Sequence, residues 1–208
     1  MFLLYQKKDK TYPESVKIGG DLYYINADFR NILRIFDMLD DRNISGYKKI
    51  EKLVNWFFDN NFPENISPEI AIEAFIHFVG KNGRRDVEDA VPYEIEPEES
   101  ERQFCYNFDA EEIYASFMAE YGIDLIETDF LHWYKFKILL GNLSPESAFK
   151  KKIELRFMDL SDLHDIRKLT ELTRAKESVQ LPDDSFEKTE DLQEIKEFNE
   201  IWGKAGNN

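Results

Sequence analysis

A single cysteine, Cys105, is present in 208 residues, so no intramolecular disulfide can form. Its neighbours, Phe104, Tyr106 and Phe108, make it read as a small buried hydrophobe rather than a reactive thiol. Histidines are equally scarce: His77, His132 and His164 are the full set, and none has a second His or Cys at a zinc-ligand spacing. No stretch approaches the roughly 18 uncharged apolar residues that a membrane-spanning helix requires. At the N-terminus the apolar residues Met1–Tyr5 come before the lysines, the reverse of a secretory leader. Positive charge is short: 27 Lys and Arg stand against 42 Asp and Glu, a net charge of −15. The densest basic stretch is Lys150-Lys151-Lys152, too little to hold nucleic-acid phosphates or an anionic membrane against that field. Calcium-binding loops, phosphate-cradling glycine loops and nucleophile elbows are all missing.

Apolar residues make up 42% of the chain and aromatics 14%, with 17 Phe and 10 Tyr, enough for a substantial core. Val16–Ile18 and Leu22–Ile25 flank Gly19-Gly20-Asp21, which predicts a β-hairpin with glycines supplying positive φ. Helical spacing follows in Phe29, Ile32, Leu33, Phe36 and Leu39, behind Asn26 or Asp28 as cap. A second helix is expected from about Ser45, with Ile50, Leu53, Val54 and Phe57 on one face. A third opens at Ser67-Pro68-Glu69 and carries Ala71, Ala74, Phe75, Phe78 and Val79. From Asp86 to Glu101 there are eight acidic residues, two prolines and no basic residue, so an acidic loop is expected over about 84–104. Beyond it, Asp109-Ala110-Glu111-Glu112 resembles a capping box that starts a helix ending at Gly122. Thr128–Leu140 is apolar on most sides, the pattern of a central helix, with Trp133 and Phe136 joining Phe117 in the core. Further helices are expected from Ser144-Pro145-Glu146 and from near Ser161 to about Ser178. The fold class is therefore mostly α, a helical bundle-like domain with a small N-terminal β-hairpin. Residues 1–182 form that domain, and 183–208 an acidic C-terminal helix and tail.

His132 is the one histidine with a catalytic or metal-binding reading, since Asp129 lies three residues before it. The competing reading is structural, with Asp129 or a backbone carbonyl bonding the ring and no metal bound. His77, between Glu73 and Lys81, and His164, between Asp162 and Asp165, read as solvated. The candidate partner-binding residues are Leu192, Ile195, Phe198 and Trp202, which share one face of a short acidic helix. Such a helix is marginal alone in water, so its stripe needs a surface, either its own domain or another molecule.

Several segments resemble a bacteriophage tail-module family called after the fifteenth gene product of its first-described member. They are Lys17–Arg30 at the hairpin and first helix, Phe108–Phe117, Tyr121–Leu125, and the densest, Leu131-His132-Trp133-Tyr134-Lys135-Phe136, with Leu143-Ser144 after it. The likeness covers roughly residues 14–165. The family's loop after the third helix is often lysine-rich, whereas this one is acidic, and the segment after about Pro182 is longer than usual. The resemblance implies a gene of a long-tailed phage or prophage, close to the tape-measure gene. It implies a tail-assembly chaperone that coats tape-measure protein in the host cytoplasm, with tape-measure protein, and possible self-association, as its partnerships. It supplies no catalytic residues, and neither cofactor, metal, nucleic acid nor membrane is expected; the protein is not expected to be an enzyme. The alternatives are a structural tail or virion subunit, which would place it in the particle, and an acidic DNA-mimic inhibitor of a host protein.

Overall fold

The structure, a computed structural model, describes residues 12–62, 66–80 and 103–182. They fall into two compact units. The first holds the described residues within Met1–Glu96 together with Phe130–Phe136, the second those within Pro97–Asp129 and Lys137–Asp184.

The first unit begins with the expected hairpin. Strand β1 (Ser15–Ile18) pairs antiparallel with β2 (Asp21–Tyr24), in a register that sets Ile18 opposite Asp21. The turn between them needs positive φ at two successive positions, and Gly19 (56°) and Gly20 (95°) supply it without a Cβ penalty. Ile18 is buried and Val16 and Tyr23 half-buried, while Leu22 and Tyr24 point outward. Three helices follow: α1 (Phe29–Asp40), α2 (Gly46–Phe57) and α3 (Pro68–Gly80). Helix α1 packs on α2, α2 on α3, and α3 on β1. Asp28 is the cap of α1, accepting from the Arg30 backbone N–H. The buried face of α1 is Phe29, Ile32, Ile35 and Met38, rotated from the expected stripe, whose Leu33, Phe36 and Leu39 are half-buried. A helix apolar over so wide an arc takes its orientation from its neighbours.

Aromatic rings fill this unit's core. Phe57 meets Phe75 at 5.3 Å and Phe58 at 4.9 Å, both edge-on, and Phe29 stacks on Phe136 at 4.6 Å. Edge-on and offset contacts suit the ring quadrupole and add to the burial energy. Trp133 and Phe136 are buried as expected, with Trp133 edge-on to Phe36 at 5.7 Å.

The helix expected from Thr128 starts instead at Trp133, giving α5 (Trp133–Gly141). Residues immediately ahead of it stay out of the helix because distant groups claim their backbone hydrogen bonds. Phe29 N–H donates to Leu131 O (2.9 Å) and Trp133 N–H to Ala27 O (2.8 Å), forming an isolated bridge between Asp28 and His132.

The second unit contains α4 (Ala110–Tyr121), the later residues of α5, α6 (Ala148–Phe157) and α7 (Ile166–Ser178). Helix α6 packs on α4 and α7 on α6. Phe117 is fully buried, and the left-handed Gly122 (φ 63°) ends α4, its N–H reaching Met118 O. Two starts fall later than expected. Ser144 gives its backbone N–H and hydroxyl to Glu120 (3.0 and 2.7 Å), so Ser147 caps α6. Asp165, accepting from Arg167 N and Lys168 N, caps α7 in place of Ser161. The expected capping box at Asp109 also fails: its side chain makes no cap bond to α4 and turns toward α6.

Candidate functional site

In the first unit, the chain between β2 and α1 is fastened on both sides. Ile25 N–H donates to Glu14 O (3.0 Å) and Asn26 N–H to Phe57 O (2.8 Å). Asn31 closes the crossing, its amide donating to Asn26 O and Trp56 O at 3.0 Å each. After α2, Asp59 (φ 50°) and Asn60 (φ 59°) take the left-handed conformation that Asp and Asn tolerate better than most residues, turning the chain back. Between these segments lies a pocket of about 320 Å³ that is open to solvent. Glu14, Tyr24, Asn26, Asp59, Asn61 and Phe130 line it.

Next to the pocket's Phe130, the His132 ring is 4% exposed and edge-on to it at 6.3 Å. Nε2 lies 3.1 Å from Pro13 O, and Tyr134 N–H donates to Nδ1 at 3.1 Å. These partners require the Nε2–H tautomer, with Nδ1 as acceptor. His132 therefore caps α5 with its side chain and ties Pro13 to that cap. Of the two groups expected to bond the ring, a backbone carbonyl is one that does so. Both ring nitrogens are committed to backbone groups, so the imidazole is not arranged to pass a proton to a bound molecule. Tyr12 (5.3 Å) and Tyr134 (5.1 Å) pack against the same ring.

Asp28 completes this junction. Its carboxylate accepts from Arg30 Nε (2.9 Å) and Nη2 (3.0 Å) and from Leu131 N–H (3.2 Å). Burial pushes its pKa up, but the Arg30 and Leu131 donors outweigh burial and hold it below the ordinary 3.8.

A second polar cluster lies inside the second unit. Asp109 is fully buried, and Arg156 Nη2 meets it at 2.7 Å with Lys152 Nζ at 3.1 Å. Lys152 also reaches Glu112 (2.7 Å), and Cys105 N–H donates to Asp109 (3.0 Å). Arg156 spends its remaining donors on Val179 O and Gln103 O, both at 2.6 Å. Burial raises the Asp109 pKa, yet Arg156, the Cys105 N–H and Lys152 more than reverse this and leave it low. Every donor faces protein, so the cluster pins residues 103–109, α6 and Val179 together.

The candidate partner-binding residues Leu192, Ile195, Phe198 and Trp202 lie outside the described residues, as does the acidic loop apart from Gln103 and Phe104. His77 is half-buried and His164 exposed. Cys105 is a half-buried free thiol. Among the described residues no three His, Cys, Asp or Glu side chains gather as a metal site, and no helix is long and apolar enough to cross a membrane. Sequence reading missed the pocket and both carboxylate clusters. One signal was available for the second cluster: Phe149, Lys152 and Arg156 recur at helical spacing, which puts two cations on an apolar face.

No curated protein and no solved structure matches the chain. A family model described as Bacteriophage Gp15 protein matches residues 8–181, a span that takes in the hairpin and all seven described helices. The chain belongs to the Bacteriophage Gp15 protein family.

Proposed function

We propose that this phage protein is a tail-assembly factor, a non-enzymatic chaperone that holds the tape-measure protein in the host cytoplasm until the tail tube closes around it. Family membership over residues 8–181 is the observation that carries the reading, because the family resemblance implies a tail-region gene beside the tape-measure gene. The chemistry is compatible with a binding role. Leu22, Tyr24, Ile126 and Ile166 are each at least 68% exposed, offering apolar contacts to a helical partner, and the net charge of −15 favours solubility.

Co-expression with the neighbouring tape-measure gene tests the proposal. The expected result is a soluble complex that co-purifies, from a tape-measure protein that is insoluble when expressed alone. A tape-measure protein equally soluble alone and absent from the pull-down would overturn it. Stoichiometric recovery of this chain from purified particles would favour a structural tail subunit instead.

A further inference from the structure

Helix α7 is held to its unit in a different way from the other described helices. Each of those buries at least one side chain, whereas no residue of α7 is buried. Its Leu169, Leu172 and Ala175 are half-buried, and Ile166 is 78% exposed. A helix of 13 residues is marginal alone in water, so whatever fastens α7 decides whether it forms.

The fastening is polar and lies at one end. Arg156 Nε donates to Val179 O (2.6 Å), Lys176 Nζ to Met158 O (2.7 Å) and the Gln180 side chain to Arg156 O (3.3 Å). These bonds join the last turn of α7 and the residues after it to the end of α6. At its other end α7 is capped by the adjacent Asp165, and the bonds of Thr170 and Ser178 stay within the helix. Helix α6 has its own anchors. Phe149 is buried and its N–H donates to Ser116 Oγ on α4 (3.1 Å), and Arg156 also holds Asp109 and Gln103 O.

We propose that α7 is a latched strap, which opens as one unit about the connection 158–165 while α4 and α6 stay packed. Opening gives up three hydrogen bonds and partial burial, but no core residue. It frees Arg156 Nε and the carbonyls of Arg156 and Met158, polar groups that the latched form keeps engaged. The device does not rest on the tail-assembly reading and stands or falls separately.

Hydrogen exchange of the full-length protein, followed amide by amide by NMR, tests the strap. Amides from Leu169 to Ser178 are expected to share one protection factor, about a hundredfold or more below those of Phe117 in α4 and Ile153 in α6. Lys176→Met and Gln180→Ala should each lower α7 protection about threefold or more and leave Phe117 unchanged. Changing the exposed Arg174 to Met removes the same charge two residues away but no bond to α6, and should alter α7 protection less than about twofold. Equal protection in α7, α4 and α6, a gradual decline along α7 without a common value, or no response to either latch variant would overturn the proposal. So would an Arg174→Met loss as large as that of Lys176→Met, because charge at the helix end rather than the latch would then hold α7.

Discussion

Arg156 is 3% exposed, yet each of its terminal nitrogens and its Nε has an acceptor: Asp109, Gln103 O and Val179 O. Removing one member of such a pair is costly because the other stays buried and charged, whereas removing both need not be. Arg156→Met is expected to destabilise by roughly 3–5 kcal/mol in urea titrations. Adding Asp109→Leu should cost much less than the sum of the two single losses, since the stranded carboxylate is gone. Additive losses would show that the pair is not coupled. The pH dependence has a definite sign. The folded pKa of Asp109 and of Asp28 lies below the ordinary 3.8, so their contribution is complete above 3.8 and disappears as pH falls through the lower folded values. Unfolding midpoints should therefore drop steeply below about pH 4 in the parent, and less steeply in the Asp109→Leu, Arg156→Met double variant.

At the scale of elements, stops and caps behave differently from starts. Gly122 stops α4 in a left-handed conformation with open space where a Cβ would sit, so only backbone strain opposes a side chain there. Gly122→Ala should cost about 1 kcal/mol in thermal or urea unfolding, and Gly122→Asn less, because Asn tolerates positive φ. A loss well above that for both would mean that the site is sterically closed. The glycine hairpin and the Gly122 stop were legible in sequence, and the cap of α1 was narrowed to Asn26 or Asp28, since each depends on residues within a few positions. The starts of α5, α6 and α7 were not. Leu131 N–H is taken by Asp28, 103 residues away in the chain, and the Ser144 hydroxyl by Glu120, 24 away. The expected cap at Asp109 was lost in the same way, to Arg156, 47 residues on.

For the molecule as a whole, charge is the dominant sequence-level property. Its positive residues are locally enriched in α7, where Arg167, Lys168, Arg174 and Lys176 face only Glu171 and Glu177, but the total remains −15. Phosphate binding scales with the number of cations that neutralise backbone charge, so this helix is too little. No mobility shift of a duplex of about 20–30 base pairs is expected at about 0.15 M salt. A shift that weakens steeply with added salt would contradict this and expose a basic surface. The division into two compact units was not legible either. Apolar density runs on through Leu131–Leu140, but Phe130–Phe136 group with the first unit and Lys137 onward with the second.

Sequence alone determined the mostly helical fold with its hairpin, the burial of Phe117, Trp133 and Phe136, and the family resemblance. Periodicity, turn chemistry and short motifs are local and survive without knowledge of the fold. Tertiary structure alone decided where α5 and α6 begin, which carboxylates are paired, and that Glu14, Tyr24, Asp59 and Phe130 share one pocket. Those outcomes depend on competition for hydrogen bonds and on proximity between residues far apart in the chain, and a linear pattern carries no record of either.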